Sequence, residues 1–207
     1  IESLLHHFLP SIGALLWVTT FFGVLISGPK MINGDGDLGR HITIGNYILD
    51  NRVIPLRDVF SHTMTGEPLT PHEWLSQVLF AAAHRLMGLD GAILLAALVI
   101  STSFWLVYKR SAMERKTFFP LLIMFVLILL SSHVHWLARP HIFTFLLLAL
   151  WMIVLEKMRK GSHRAWWLLP LIMLVWVNLH GAFIAGFVTW LLFGAGLALD
   201  LLFLKPV

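Results

Sequence analysis

Five short stretches of this chain gather side chains able to move protons or hold an anion. They are Asp35-Gly36-Asp37 with Arg40 and His41, His72-Glu73, His133-Val134-His135, Arg139-Pro140-His141, and Asn178-Leu179-His180. A carboxylate such as Asp37, Asp35 or Glu73 can take a proton from an attacking hydroxyl or amide. The planar guanidinium of Arg139 pairs bidentately with oxyanions, which suits a phosphate. Arg40, His41, His72, His141, Asn178 and His180 are the further candidates for contacting a substrate. Each has a plainer explanation. Asp37 can cap the helix it opens, and Thr70 with Glu73 three residues on reads as a capping box, with Pro71 at the first helical position. Arg139 can snorkel to lipid headgroups, and Asn178 fits turn chemistry. A metal needs three or more ligands around one centre. Asp37, His133 and His135 are the candidates for a divalent ion, but Asp35-Gly36-Asp37 lacks the twelve-residue loop of an EF-hand. His133 and His135 diverge on a helix and converge on an extended or broken segment, and Pro140 predicts such a break at 138 or 139.

The elements that must position these groups follow from the apolar runs between them. The chain of 207 residues is 58% hydrophobic and 13% charged, with a mean hydropathy of +0.82. That balance predicts an all-α polytopic membrane protein. About six transmembrane helices are expected, at 8–27, 91–108, 117–136, 137–156, 165–178 and 182–204. Several reach the ~20 residues of a span only by absorbing polar ends such as His133 to His141. The region 28–90 forms a large first outer loop with two interfacial helices. Leu38, Ile42, Ile48 and Leu49 stripe the first, and Trp74, Leu75, Val78, Leu79 and Leu86 the second. Between them 59–63 is expected to be extended and 65–68 a turn.

Sidedness follows from Lys and Arg. Lys109, Arg110, Arg115, Lys116, Lys157, Arg159, Lys160, Arg164 and Lys205 lie in connections that must share one face, the cytoplasmic one. The polar stretches above then lie together on the outside. Basic residues placed this way are topology signals, so nucleic acid is not an expected partner. The absence of cysteine excludes disulfides, thiolate nucleophiles and Cys-based metal sites. A transporter would carry ionisable groups at mid-span, and the centres of the six runs carry none. The first run lacks the basic flank and cleavage site of a signal peptide. The chain begins at Ile1, and it is expected to be part of a longer protein.

Taken in order, Asp35-Gly36-Asp37-Leu38-Gly39-Arg40-His41-Ile42, Ile54-Pro55-Leu56-Arg57-Asp58-Val59-Phe60-Ser61, His72-Glu73-Trp74-Leu75, Arg139-Pro140-His141 and Asn178-Leu179-His180-Gly181 resemble the motifs of the GT-C superfamily of membrane glycosyltransferases, in large bacterial members. The resemblance covers nearly the whole chain and matches an N-terminal module. It implies transfer of a sugar from a polyprenyl-phosphate-linked donor at the outer face of the bacterial inner membrane, with the 28–90 loop facing the periplasm or exterior. It further implies Asp37 as the base, with Asp35 second, Arg139 and nearby histidines at the leaving phosphate, and a divalent metal in some members. A non-catalytic structural, lipid-binding or cofactor-binding subunit of a larger assembly, in contact with partner membrane subunits, is the alternative that the same residues allow.

Overall fold

The computed structural model describes residues 10–34, 36–114 and 118–203, and over these the fold is helical, with one isolated antiparallel bridge between Arg57 and Pro68. Asp35 and the predicted inner-face residues Arg115, Lys116 and Lys205 lie outside the described residues. Helix α1 (Ile12–Ile26) opens at Ser11, whose hydroxyl accepts from the Ala14 amide at 3.1 Å. The short α2 (Gly28–Asn33) and then α3 (Asp37–Asn51) follow. A long helical run, α4 (Trp74–Glu114), is broken at Met87 and Gly88, where Gly88 has φ 63°, a left-handed backbone that favours glycine. It therefore has two arms, 74–86 and 89–114. Beyond it lie α5 (Phe118–Ser132), α6 (His141–Arg159), α7 (Leu168–Leu179) and α8 (Ile184–Phe203). Short 3₁₀ turns at His133–His135, His163–Trp167 and Gly181–Phe183 precede α6, α7 and α8.

Three helical stretches are long and apolar enough to cross a membrane: Trp74–Ala112, His141–Arg159 and Gly181–Phe203. Ile12–Ile26, Phe119–His135 and Arg164–Leu179 are apolar but shorter. Many large apolar side chains, among them Phe119, Ile123, Leu127, Leu191 and Leu201, are exposed, which is compatible with a lipid environment.

The first helix of the 28–90 region departs from the sequence expectation. The stripe of α3 that was expected to lie in the interface faces protein instead: Leu38, Ile42 and Ile48 are buried together with His41 and Gly45. They pack on the 74–86 arm, which turns Ser76, Gln77, Phe80 and Ala81 inward and leaves Leu79 and Leu86 exposed. Small residues set this spacing, because a Cβ on Gly45 would collide with the Gln77 carbonyl and the Ala81 methyl. Arg85 fixes the far end of α3, donating to Asn46 Oδ1 at 2.7 Å and Asp50 Oδ1 at 2.6 Å.

The connection 52–73 is also more compact than expected. The Asp58 carboxylate accepts from the amides of Phe60 and Ser61 and from the Ser61 hydroxyl at 2.6 Å, so 58–61 is a tight turn rather than an extended segment. These donors, the Ser61 hydroxyl foremost, hold the Asp58 carboxyl below its usual range.

Candidate functional site

At the end of the bundle where α3, α4 and α6 begin and α5 and α7 finish, a cleft of about 270 Å³ is lined by His41, Glu73, His135, Leu137, Arg139, Pro140, His141 and His180. Its residues come from four separate parts of the chain. The turn at Gly34 leads into α3, whose N-cap is Gly36 and whose first residue is Asp37. The Asp37 carboxylate, in the first turn of α3, accepts from Arg139, and Arg40 Nε stands 4.0 Å from the other oxygen. Arg139 reaches this position because the chain leaves the helix after Ser132, makes one 3₁₀ turn and runs irregularly through 136–140. The break expected at 138 or 139 thus begins several residues earlier. The Ala138 amide meets the Met31 carbonyl of α2 at 3.5 Å, which ties this connection to the start of α3.

Glu73 has the more enclosed carboxylate, its side chain 15% exposed against 38% for Asp37. Helix α4 begins only at Trp74, and Glu73 does not close a capping box with Thr70. It turns toward His180, with Oε1 at 3.6 Å from Nε2, and His72 Nε2 lies 4.0 Å away on the solvent side. Burial pushes the Glu73 carboxyl above its usual range, opposed by His72, Arg40 and Arg139 and assisted by Asp37. His180 moves the other way, pushed down to about 4, first by burial and then by His141, His72 and Arg139. At neutral pH it is an uncharged imidazole, so its contact with Glu73 is that of a ring dipole with a carboxylate, not an ion pair.

The tautomer of His180 is fixed by its surroundings. The Ala182 amide donates to Nδ1 at 3.3 Å, and an N–H can only donate, so Nδ1 carries the lone pair. Thr144 Oγ1, 2.9 Å from the same nitrogen, accepts in turn from Trp176 Nε1 at 3.1 Å. The chain Trp176, Thr144, His180 therefore leaves Nε2–H directed at Glu73. Across the cleft His141 Nε2 donates to the His135 carbonyl at 2.7 Å, and its ring stands edge-on to Phe145 and His180.

The structure therefore brings Asp37, Arg40, His41, Glu73, His72, Arg139, His141 and His180 to one locality, with His41 wholly buried in its wall. Asn178 plays a different part. Its Oδ1 accepts from Trp74 Nε1 at 2.6 Å and its Nδ2 donates to the Leu174 carbonyl, which docks α4 on α7 beside the cleft. The metal candidates separate. His133 leaves the cleft, packing on Trp136 with Nε2 at 3.4 Å from Ser27 Oγ, while His135 lines it. Among the described residues no group of three or more His, Asp or Glu side chains is placed to hold a metal ion, because a single 3₁₀ turn points the two histidines apart. Thr144 and Trp176 lay inside runs read only as spans. Their positions three residues after His141 and four before His180 are the signal that places them beside the site.

No family model, curated protein or solved structure matches this chain.

Proposed function

We propose that this chain is the N-terminal, six-span module of a bacterial inner-membrane glycosyltransferase of GT-C type, with the cleft at the outer face and the polyprenyl-phosphate-linked sugar as donor. The observation that carries the reading is a cleft in which the Glu73 carboxylate meets a guanidinium and several imidazoles, with a second carboxylate, Asp37, paired to that guanidinium, at the bundle end opposite the Lys and Arg of the α6 C-terminus. In this reading the donor phosphate competes with Asp37 for Arg139 and Arg40, since phosphate and carboxylate draw on the same guanidinium donors. The acceptor heteroatom attacks the anomeric carbon as the bond from that carbon to the phosphate oxygen breaks. The electron pair leaves with the lipid phosphate, where Arg139 balances the charge. The acceptor proton passes to a carboxylate, Asp37 once released, or Glu73, whose raised affinity for protons suits a base working near neutral pH.

The test uses the full-length protein and a polyprenyl-phosphate as probe. Arg139→Ala is expected to weaken binding about ten-fold or more, the loss of one charge-assisted contact. Asp37→Asn is expected to bind as tightly as wild type or tighter, because the competing carboxylate is gone. Release of sugar from a polyprenyl-phosphate-linked hexose should fall at least 100-fold in Asp37→Asn or Glu73→Gln, the usual size of a proton-transfer contribution. Unchanged binding in Arg139→Ala would dismiss the phosphate role. The second reading, a non-catalytic subunit of a larger assembly, draws on the exposed apolar faces of α5 and α8, which suit lipid or partner helices. It is the reading to adopt if all three variants behave as wild type.

A further inference from the structure

The bundle has a second cavity system, at the other end of α6. Eighteen residues separate His141 from Arg159, which is about 27 Å of helix at ~1.5 Å per residue, so the two ends of α6 stand nearly a hydrocarbon core apart. Along the outside of α6 a groove of about 520 Å³ runs between Phe104, Val107, Phe145, Leu148 and Met152. Two of its three hydroxyl groups are satisfied within their own helices, Ser103 donating to the Val99 carbonyl at 2.6 Å and Ser132 to the Leu129 carbonyl at 3.1 Å, and the third, Ser111, lines the groove near Arg110. From Phe145 to Glu156 it follows eleven residues of α6, about 16 Å, close to half of a ~30 Å hydrocarbon core.

At its far end the groove adjoins a second cavity of about 300 Å³, the two sharing Leu106, Arg110, Ile153 and Glu156 as walls. Here the lining becomes basic, with Lys109, Lys157 and Lys160 joining Arg110 around Glu156. Glu156 pairs with Arg110 and, at 3.6 Å, with Lys160. Lys109 lies 4.8 Å over the Trp105 ring. Among the described residues that line the cavity, four cations face one carboxylate, directly where an apolar groove of one leaflet's depth begins.

We propose that this groove and its basic mouth form a binding site for an anionic glycerophospholipid of the leaflet opposite the cleft, one acyl chain lying along α6 and the phosphate held at Lys109, Arg110, Lys157 and Lys160. The charge selects the ligand. A neutral transmembrane segment would gain nothing from the surplus of cations, whereas a negatively charged headgroup is drawn to them, and its acyl chain covers the apolar wall. The site is independent of any chemistry in the polar cleft.

The test is lipid binding to the delipidated full-length protein by native mass spectrometry, with dioleoyl phosphatidylglycerol against dioleoyl phosphatidylcholine, so that only the headgroup differs. One phosphatidylglycerol is expected to bind at least ten-fold more tightly than phosphatidylcholine. Lys109→Ala/Lys157→Ala should abolish that preference, and Met152→Trp should weaken binding of both lipids by filling the groove. Arg159→Ala/Arg164→Ala removes two charges from the same end but outside the cavity, and should leave the preference intact. Equal binding of the two lipids overturns the proposal. So does an equal loss in the two double variants, which would mark general attraction to a charged end. Displacement of phosphatidylglycerol by stoichiometric polyprenyl phosphate would assign the groove to a carrier lipid and overturn it also. The double lysine variant changes surface residues only, so failure of Met152→Trp to fold leaves the test standing.

Discussion

One carboxylate, Glu73, lines the cleft and a second, Asp37, pairs with the cleft's Arg139, and their surroundings give them different chemistry. Asp37 sits between Arg139 and Arg40. Glu73 is enclosed beside an imidazole that does not carry charge at neutral pH. That imidazole also couples the fold to pH. Folded His180 titrates near 4 and an unfolded histidine near 6.5, so the unfolded chain binds more protons between those values. Stability from this group is therefore complete above about pH 6.5 and falls as the pH drops toward 4. At pH 5 the loss is about 2 kcal/mol. In His180→Asn the side-chain oxygen still accepts where Nδ1 stood, but nothing titrates. Thermal unfolding in detergent at pH 7.5 and pH 5.0 should show a smaller acid-induced loss for the variant than for wild type. Equal losses would mean that His180 is not the sensor, and that its enclosure by Thr144 and Ala182 does not hold in solution.

At the level of elements, the cleft depends on how closely α3 approaches the 74–86 arm. Gly45 stands where a methyl group would strike the Gln77 carbonyl, whereas Gly39 on the same helix has open space around it. Gly45→Ala should therefore destabilise by about 1–3 kcal/mol through overpacking, and Gly39→Ala should stabilise by about 0.5–1 kcal/mol through helix propensity. A melting comparison of the two decides the matter, and equal behaviour would mean that α3 is not seated on the arm as described. The same contact marks the limit of reading this chain from sequence. Both helices of the 28–90 region were visible, α3 through its stripe and α4 through Pro71 and the apolar run that follows. Which way their faces turn was not, because Leu38, Ile42 and Ile48 satisfy lipid and protein equally well. The polar residues of the cleft were legible as a set, since they fall at the ends of apolar runs. Their pairing was hidden: Asp37 and Arg139 are 102 residues apart, and no spacing rule reaches that far. Thr144 went unseen because one hydroxyl inside an apolar helix reads as filler until its histidine partner is known.

For the molecule as a whole, the proposed topology places the polar cleft and the basic mouth on opposite sides of a bilayer. In that topology the 89–114 arm, α5 and α6 lie between the 52–73 connection and the turn before α7, an odd number of proposed crossings. Between 52–73 and the 133–140 connection the same topology has two. The chain contains no cysteine, so single cysteines report position without a background. Met64 and Val134 are 54% and 68% exposed, and Ser162 is exposed at the other end. Met64→Cys and Val134→Cys should react with a membrane-impermeant maleimide on intact spheroplasts, and Ser162→Cys only after lysis. Labelling of positions 64 and 162 from the same side would remove the odd crossing number, and with it the separation of cleft and lipid mouth across the membrane. Opposite labelling of 64 and 134 would break the cleft itself, because Glu73 and Arg139 reach it from those two connections and must emerge on one face to meet.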